Sequence, residues 1–180
     1  MTAHIALLRG VNAAGNRPVT ADELTALLDE LGHAEVRAGP KVGELVFASG
    51  QQTGTELQTQ IETALMERFS LRTDVYVRTA DAWRALVAAN PFLEFAAQDP
   101  GWLMTLFLKD APDKKAVGAL RTAIRGREQV RAESRQLYVT YPDGIGGSKL
   151  TVGLVEKTLG TRITGRPWTT VLALEAMLGG

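Results

Sequence analysis

Apolar positions along the chain alternate between two rhythms. Ile5, Ala6, Leu7 and Leu8 form an unbroken run that reads as a strand. Thr20 and Glu23 then make a Thr-x-x-Glu capping box, and Leu24, Leu27, Leu28 and Leu31 follow at helical spacing until Gly32 stops the helix. "EVRA" and "ELVFA" read as strands parted by Gly39, Pro40 and Gly43. A second box, Thr53 to Glu56, opens a helix carried by Leu57, Ile61, Ala64, Leu65 and Phe69. "DVYVR" is a fourth strand, and Trp83, Leu86 and Val87 mark a helix ended by Asn90-Pro91.

The rhythm restarts at Trp102. "WLMTLFL" is a strand; Val117, Leu120 and Ile124 mark a helix; a strand around Val130 and the strand "QLYVTY" follow. Leu150, Leu154, Val155 and Leu159 make a helix closed by Gly160, "TRIT" is a short strand, and "TTVLALEAML" is a last helix. Both halves thus read strand–helix–strand–strand–helix–strand with a trailing helix. The predicted class is α+β: two ferredoxin-like βαββαβ units, residues 1–90 and 101–180, joined by a linker at 91–100, with antiparallel or mixed sheets. The unbroken runs "IALL" and "WLMTLFL" predict central strands covered on both faces.

This order is read as making the first and third strands parallel neighbours at the centre of each sheet. Both helix N-termini of a unit would then open on one sheet edge, and unpaired N–H groups and positive dipole ends there favour anions. "RGVNAAGN" and "SGQQTGT" would share that edge in the first half, "KDAPDKK" and "YPDGIGGSK" in the second.

"YPDGIGGSKLT" is the sharpest candidate. It is neither Gly-x-x-x-x-Gly-Lys-Ser/Thr nor Gly-x-Gly-x-x-Gly, so the two familiar phosphate loops are excluded. Two readings stay open. One is a generic anion nest from the N–H groups of Gly144, Gly146 and Gly147, the Ser148 hydroxyl and the Lys149 ammonium. The other is a left-handed turn with Ser148 as N-cap and Lys149 in solvent. Asp143 is a proton-transfer carboxylate, a metal ligand or the closer of an Asx-turn. Arg9 and Asn12 follow the first strand, where Arg9 forks an anion or joins an ion pair and Asn12 contacts the ligand's charge or holds a left-handed turn. Arg166 and Trp168 either present a guanidinium beside a ring or anchor the core.

Composition narrows the chemistry. The chain has no cysteine, which removes disulfides, thiolate metal sites and cysteine nucleophiles. Its two histidines, His4 and His33, lie far apart in sequence, and no metal site or cofactor is expected. Twenty basic and twenty acidic residues give zero net charge. Residues 1–80 hold 7 basic and 10 acidic (−3), and 81–180 hold 13 and 10 (+3), so no broad field for nucleic acid exists. The local cluster Arg121, Arg125, Arg127, Arg131 and Arg135 leaves nucleic acid a less favoured partner, because neither "LVFASG" nor "LYVTYP" carries the aromatic-and-basic pattern of an RNA-binding sheet. No secretory signal or membrane span is visible, and a cytoplasmic protein is expected.

"ALLRGVN", "YPDGIGGSKLT" and "GRPWTTV", in this order, resemble motifs of the domain-of-unknown-function 1697 family of bacterial proteins. The resemblance covers nearly the whole chain. It implies a two-subdomain α/β protein and no established activity. The chain departs from that pattern at "KVGELVF", at Pro167 and Thr169, and at Gly147, where the family often has polar residues. The expectation from these readings together is a binder of an anionic or nucleotide-like small molecule where the two units meet. The rivals are an enzyme using Asp143 or Lys149 in proton transfer and a nucleic-acid or protein-interaction module.

Overall fold

A computed structural model of the chain describes residues 1–12, 18–50 and 52–179; Ala13 to Asn16 of "RGVNAAGN" and Gln51 of "SGQQTGT" lie outside the described residues. The chain divides into two compact units, Met1–Ala85 with Ala173–Gly180, and Leu86–Leu172. The division falls inside the two trailing helices, and the 91–100 stretch belongs wholly to the second unit.

The first unit runs β1 (Thr2–Leu8), α1 (Ala21–Glu30), β2 (Ala34–Ala38), β3 (Glu44–Ser49), α2 (Gly54–Phe69), β4 (Val75–Thr79) and α3 (Ala80–Ala88). Both predicted capping boxes form. Thr20 and Thr53 accept from the N–H groups of Glu23 and Glu56 at 3.1 and 3.2 Å, and each glutamate reaches back to the cap N–H. The apolar faces of α1 and α2 then bury Leu24, Leu28, Leu57, Ile61 and Leu65 against Ala6, Leu8, Leu45, Phe47, Val75 and Val77 of the sheet.

The second unit repeats the plan: β5 (Leu103–Leu108), α5 (Lys114–Ala123), β6 (Gln129–Glu133), β7 (Gln136–Thr140), α6 (Val152–Leu159), β8 (Ile163–Pro167) and α7 (Trp168–Leu178). A short helix, α4 (Leu93–Gln98), and a 3-10 turn at Pro100–Trp102 precede β5, where the sequence suggested only a linker. Phe92 at the start of α4 makes no side-chain cap, so no start signal announced that helix.

The sheet orders are β2-β3-β1-β4 and β6-β7-β5-β8, the same permutation twice. β1 and β5 are central, as their unbroken apolar runs predicted, and Ile5, Ala6, Leu7, Phe107 and Leu108 are fully buried. The expectation of parallel first and third strands is overturned: β1 pairs antiparallel with β3 (Ile5 opposite Val46), and β5 with β7 (Leu106 opposite Leu137). The third strand is reached by a short antiparallel connection from the second, so it must run against the first. The ends of β1 and β3, which lead into "RGVNAAGN" and "SGQQTGT", therefore lie at opposite sheet edges, as do those of β5 and β7, which lead into "KDAPDKK" and "YPDGIGGSK". The strand ends that do share an edge are those of β7 and β8, with Thr140 opposite Leu103 and Pro167 opposite Met104.

Repetition of the plan makes each unit a control for the other. The third strand is joined to the following helix by four residues in the first unit (50–53) and by eleven in the second (141–151). The first strand is joined to its helix by twelve residues in the first unit (9–20) and by five in the second (109–113). The short version of each connection suffices to close the fold. No helix among the described residues is long and apolar enough to cross a membrane.

Candidate functional site

The eleven-residue connection is a built structure with its own fastenings. Tyr141 continues the β7–β5 pairing by donating its N–H to the Trp102 carbonyl at 2.9 Å. Its buried ring belongs to the core under β7, and its hydroxyl donates to the Leu150 carbonyl at 3.3 Å, tying the start of the loop to its end. Burial, with the Glu128 carboxylate nearby, pushes the Tyr141 phenol up to about 12, so it remains a neutral donor.

Two turns follow. Gly144 donates to the Tyr141 carbonyl at 3.0 Å and sits at φ +82°, left-handed backbone that favours glycine. The Trp102 ring lies 3.8 Å from where a Gly144 Cβ would stand. Ser148 then donates its N–H to Ile145 at 3.1 Å. Gly146 and Gly147 inside that turn are not in the left-handed region, and an added Cβ at either would meet nothing within 4 Å. Neither strain nor crowding in the free chain requires glycine there.

The polar side chains are fastened by the start of β6. Arg127 grips Asp143 with both ends of its guanidinium, Nε donating to Oδ2 at 3.0 Å and Nη2 to Oδ1. That pairing holds the Asp143 carboxyl below its usual range and raises the Arg127 guanidinium. That leaves Asp143 an ionised but weakened base, with both carboxylate oxygens engaged by Arg127. The Ser148 hydroxyl donates to Glu128 Oε1 and accepts from Leu150 N at 3.0 Å. Thr151, not Ser148, caps α6, accepting from Leu154 N at 3.2 Å. With a carboxylate already at Ser148, the nest loses its hydroxyl. Lys149 is exposed and makes no hydrogen bond or ion pair among the described residues.

The other sequence candidates lie on other elements. Arg166 and Trp168 leave the sheet at the same edge as the loop. Arg166 Nη1 donates to Thr164 Oγ1 and to the Gly165 carbonyl, both at 2.8 Å. Trp168 is only 5% exposed and packs on Tyr138 with ring centroids 6.4 Å apart, so it serves the core. The exposed tryptophan here is Trp102, at 46%. Arg9 and Asn12 belong to the first unit. The Arg9 N–H donates to Asp74 O at 3.0 Å, and Lys109 repeats this joint with Arg162 O at 3.1 Å. Asn12 Oδ1 accepts from Val19 N at 3.0 Å and so spans its own loop.

A cavity of about 530 Å³ opens beside the loop, walled by Asn90 to Phe95 and by Gln129, Thr140 and Pro142. Sequence reading missed this wall, having taken 91–100 as a linker. It also missed Arg127 and Glu128 as partners of the motif. A signal existed: β6 and β7 form a hairpin with Glu133 opposite Gln136, and extending that register past Gln129–Thr140 carries Arg127 and Glu128 to the foot of the loop. Of the arginine cluster, Arg121 and Arg131 donate to the Val130 carbonyl and keep their charge, and Arg127 is paired with Asp143. His4 and His33 both pack on Phe47, buried, and among the described residues no acid–histidine group could hold a metal.

In sequence comparison, no curated protein matches the chain. Among solved structures it resembles the conserved bacterial protein SP0830 from Streptococcus pneumoniae, at 19% identity over 98% of each chain and a TM-score of 0.73, a likeness of fold alone. The family described as "Protein of unknown function (DUF1697)" matches residues 1–138, a span that ends just ahead of the Tyr141–Thr151 loop. With that span matched, the chain belongs to the DUF1697 family, whose function is unknown.

Proposed function

We propose that this is a cytosolic protein that binds an anionic small molecule at the loop 141–151 of its second unit, with Lys149 meeting the negative group. One observation carries the reading: eleven residues stand where the other copy of the plan closes with four. Segments in excess of what a fold needs are where binding residues concentrate. The details agree. Lys149 is the cation of this loop without a partner among the described residues, whereas Arg127 is spent on Asp143. Gly146 and Gly147 leave open space beside it for a ligand to approach the backbone. Glu128 and Asp143 offset Arg127 and Lys149, so selectivity rests on Lys149 and the open backbone and not on a general positive field.

Thermal denaturation over a panel of nucleotides, sugar phosphates and inorganic phosphate tests this. A ligand at a hundred times its Kd adds about 2.7 kcal/mol of stability and raises Tm. Lys149→Ala is expected to abolish the rise while leaving the Tm of the free protein within error, and Gly146→Val to reduce it. A panel with no rise for any ligand overturns the reading.

A further inference from the structure

The cavity beside the loop has a chemistry of its own. Phe92, Phe95 and Pro142 give it apolar walls, and Asn90, Gln129 and Thr140 contribute its neutral polar groups. Asn90 is 5% exposed; its Oδ1 accepts from Phe92 N at 2.9 Å, and its amide nitrogen is shielded from water with no acceptor. A buried amide N–H left without an acceptor is costly, about 1–3 kcal/mol, and such a group in a cavity wall suits a ligand that supplies the acceptor. The Thr140 hydroxyl oxygen accepts from Gln129 N at 3.1 Å, which leaves its hydrogen to donate. The Gln129 side chain is exposed and offers both a donor and an acceptor.

We infer that this cavity takes an uncharged planar heteroaromatic ring, a nucleobase or a ring of the same chemistry, read at its edge by Asn90, Gln129 and Thr140. The volume, about 530 Å³, lies in the range of small-molecule sites. Apolar Phe95 and Pro142 suit the faces of a planar ring, while one side of Phe92 is already covered by the Arg131 guanidinium, 5.8 Å from its centroid. Neutral amide and hydroxyl groups match the ring nitrogens and carbonyls of a base; a phosphate would want charge. Pro142 belongs both to the cavity wall and to the loop that carries Lys149. The inference rests on the proposed binding function and narrows its ligand to one with a ring beside its anionic group.

Saturation-transfer NMR and calorimetry on the intact chain separate the two readings. The probes are adenosine, guanosine, cytidine and uridine on one side, and ribose 5-phosphate and inorganic phosphate on the other. At least one nucleoside is expected to bind without any phosphate, with affinity falling roughly fivefold in Gln129→Ala for the loss of one hydrogen bond. Asn90→Asp, which keeps the acceptor for Phe92 N and removes the amide donor, should weaken the same nucleoside. Binding of phosphates but of no nucleoside overturns the ring site and leaves the anion site standing. Nucleoside binding indifferent to both substitutions also overturns it. Failure of every probe overturns the ring site, while the anion site is judged on its own panel, which includes nucleotides.

Discussion

Ser70 and Gly160 occupy one position in the repeated plan. Each follows the helix after the third strand of its unit in left-handed backbone, at φ 52° and 67°. The Ser70 N–H donates to Met66 and Leu71 N reaches back to Leu65, a helix ending that places a left-handed residue at its pivot. An L side chain in that region costs roughly 1–2 kcal/mol, and glycine avoids most of it. Ser70→Gly is expected to raise stability by about 1 kcal/mol, and Gly160→Ala to lower it by a similar amount. Urea midpoints measure both; a drop for Ser70→Gly would show that its hydroxyl matters more than its backbone. The same scale shows what single residues disclosed beforehand. Gly144 was legible as a turn former because its need is local. Ser148 as an N-cap, one of the two readings left open for it, gives way to Thr151, and its own partner, Glu128, lies twenty residues away in the chain.

Among elements, the pairing of α2 with β4 shows how an edge strand is sealed. β4 lies at the margin of its sheet, so its outward N–H groups have no neighbouring strand. Gln58 Oε1 accepts from Val77 N at 3.0 Å and Glu62 Oε1 from Val75 N at 2.8 Å. The spacing is what lets this happen: four helical residues rise about 6 Å, close to the ~6.7 Å of two strand residues. Glu156 of α6 does the same for Ile163 of β8, at 3.3 Å. Gln58→Leu combined with Glu62→Leu should cost about 1–3 kcal/mol for each N–H left bare, and should expose an edge able to pair with another chain. Light scattering against concentration is expected to show self-association in the double variant and none in the parent. Hydrophobic spacing revealed α2 and β4 as elements, but Gln58 and Glu62 looked like ordinary surface residues, since nothing local says that a helix will lie along a strand's free edge.

At the scale of the molecule, distant segments meet in ways that set its response to pH. His4 on β1 and His33 beyond α1 both pack on Phe47, with ring centroids 5.5 and 4.9 Å away, and are 2% and 8% exposed. Burial lowers both pKa values beneath the ordinary 6.5. Below that pH the unfolded chain takes up protons that the folded chain refuses, so stability falls as pH drops through 6.5 and toward the folded values. The slope has a ceiling of about 1.4 kcal/mol per pH unit for each histidine. Urea midpoints at pH 7.5 and 5.5 should show the fall, and His33→Leu should flatten it. A parent midpoint unchanged across that window would mean that neither histidine is held neutral. Asp143 and Glu56, whose carboxyls are lowered by Arg127 and by the α2 cap, act only below the ordinary carboxylate range and do not confuse the test.

Sequence by itself determined the strand–helix–strand–strand–helix–strand order of each half with its trailing helix, the two capping boxes, the central apolar strands and the repetition of the plan, because each follows from periodicity and capping chemistry within a few residues of the chain; α4, with no side-chain cap, escaped it. It also located the glycine-bearing loop. Tertiary structure alone decided the direction of the third strand against the first, and with it which loops share a sheet edge. It decided that Trp168 faces the core while Trp102 faces solvent, that Asp143 and Ser148 are held by Arg127 and Glu128, and that the stretch 91–100 walls a cavity. These outcomes depend on pairings between residues far apart in sequence, and hydrophobic period carries no information about which polar group will find which partner.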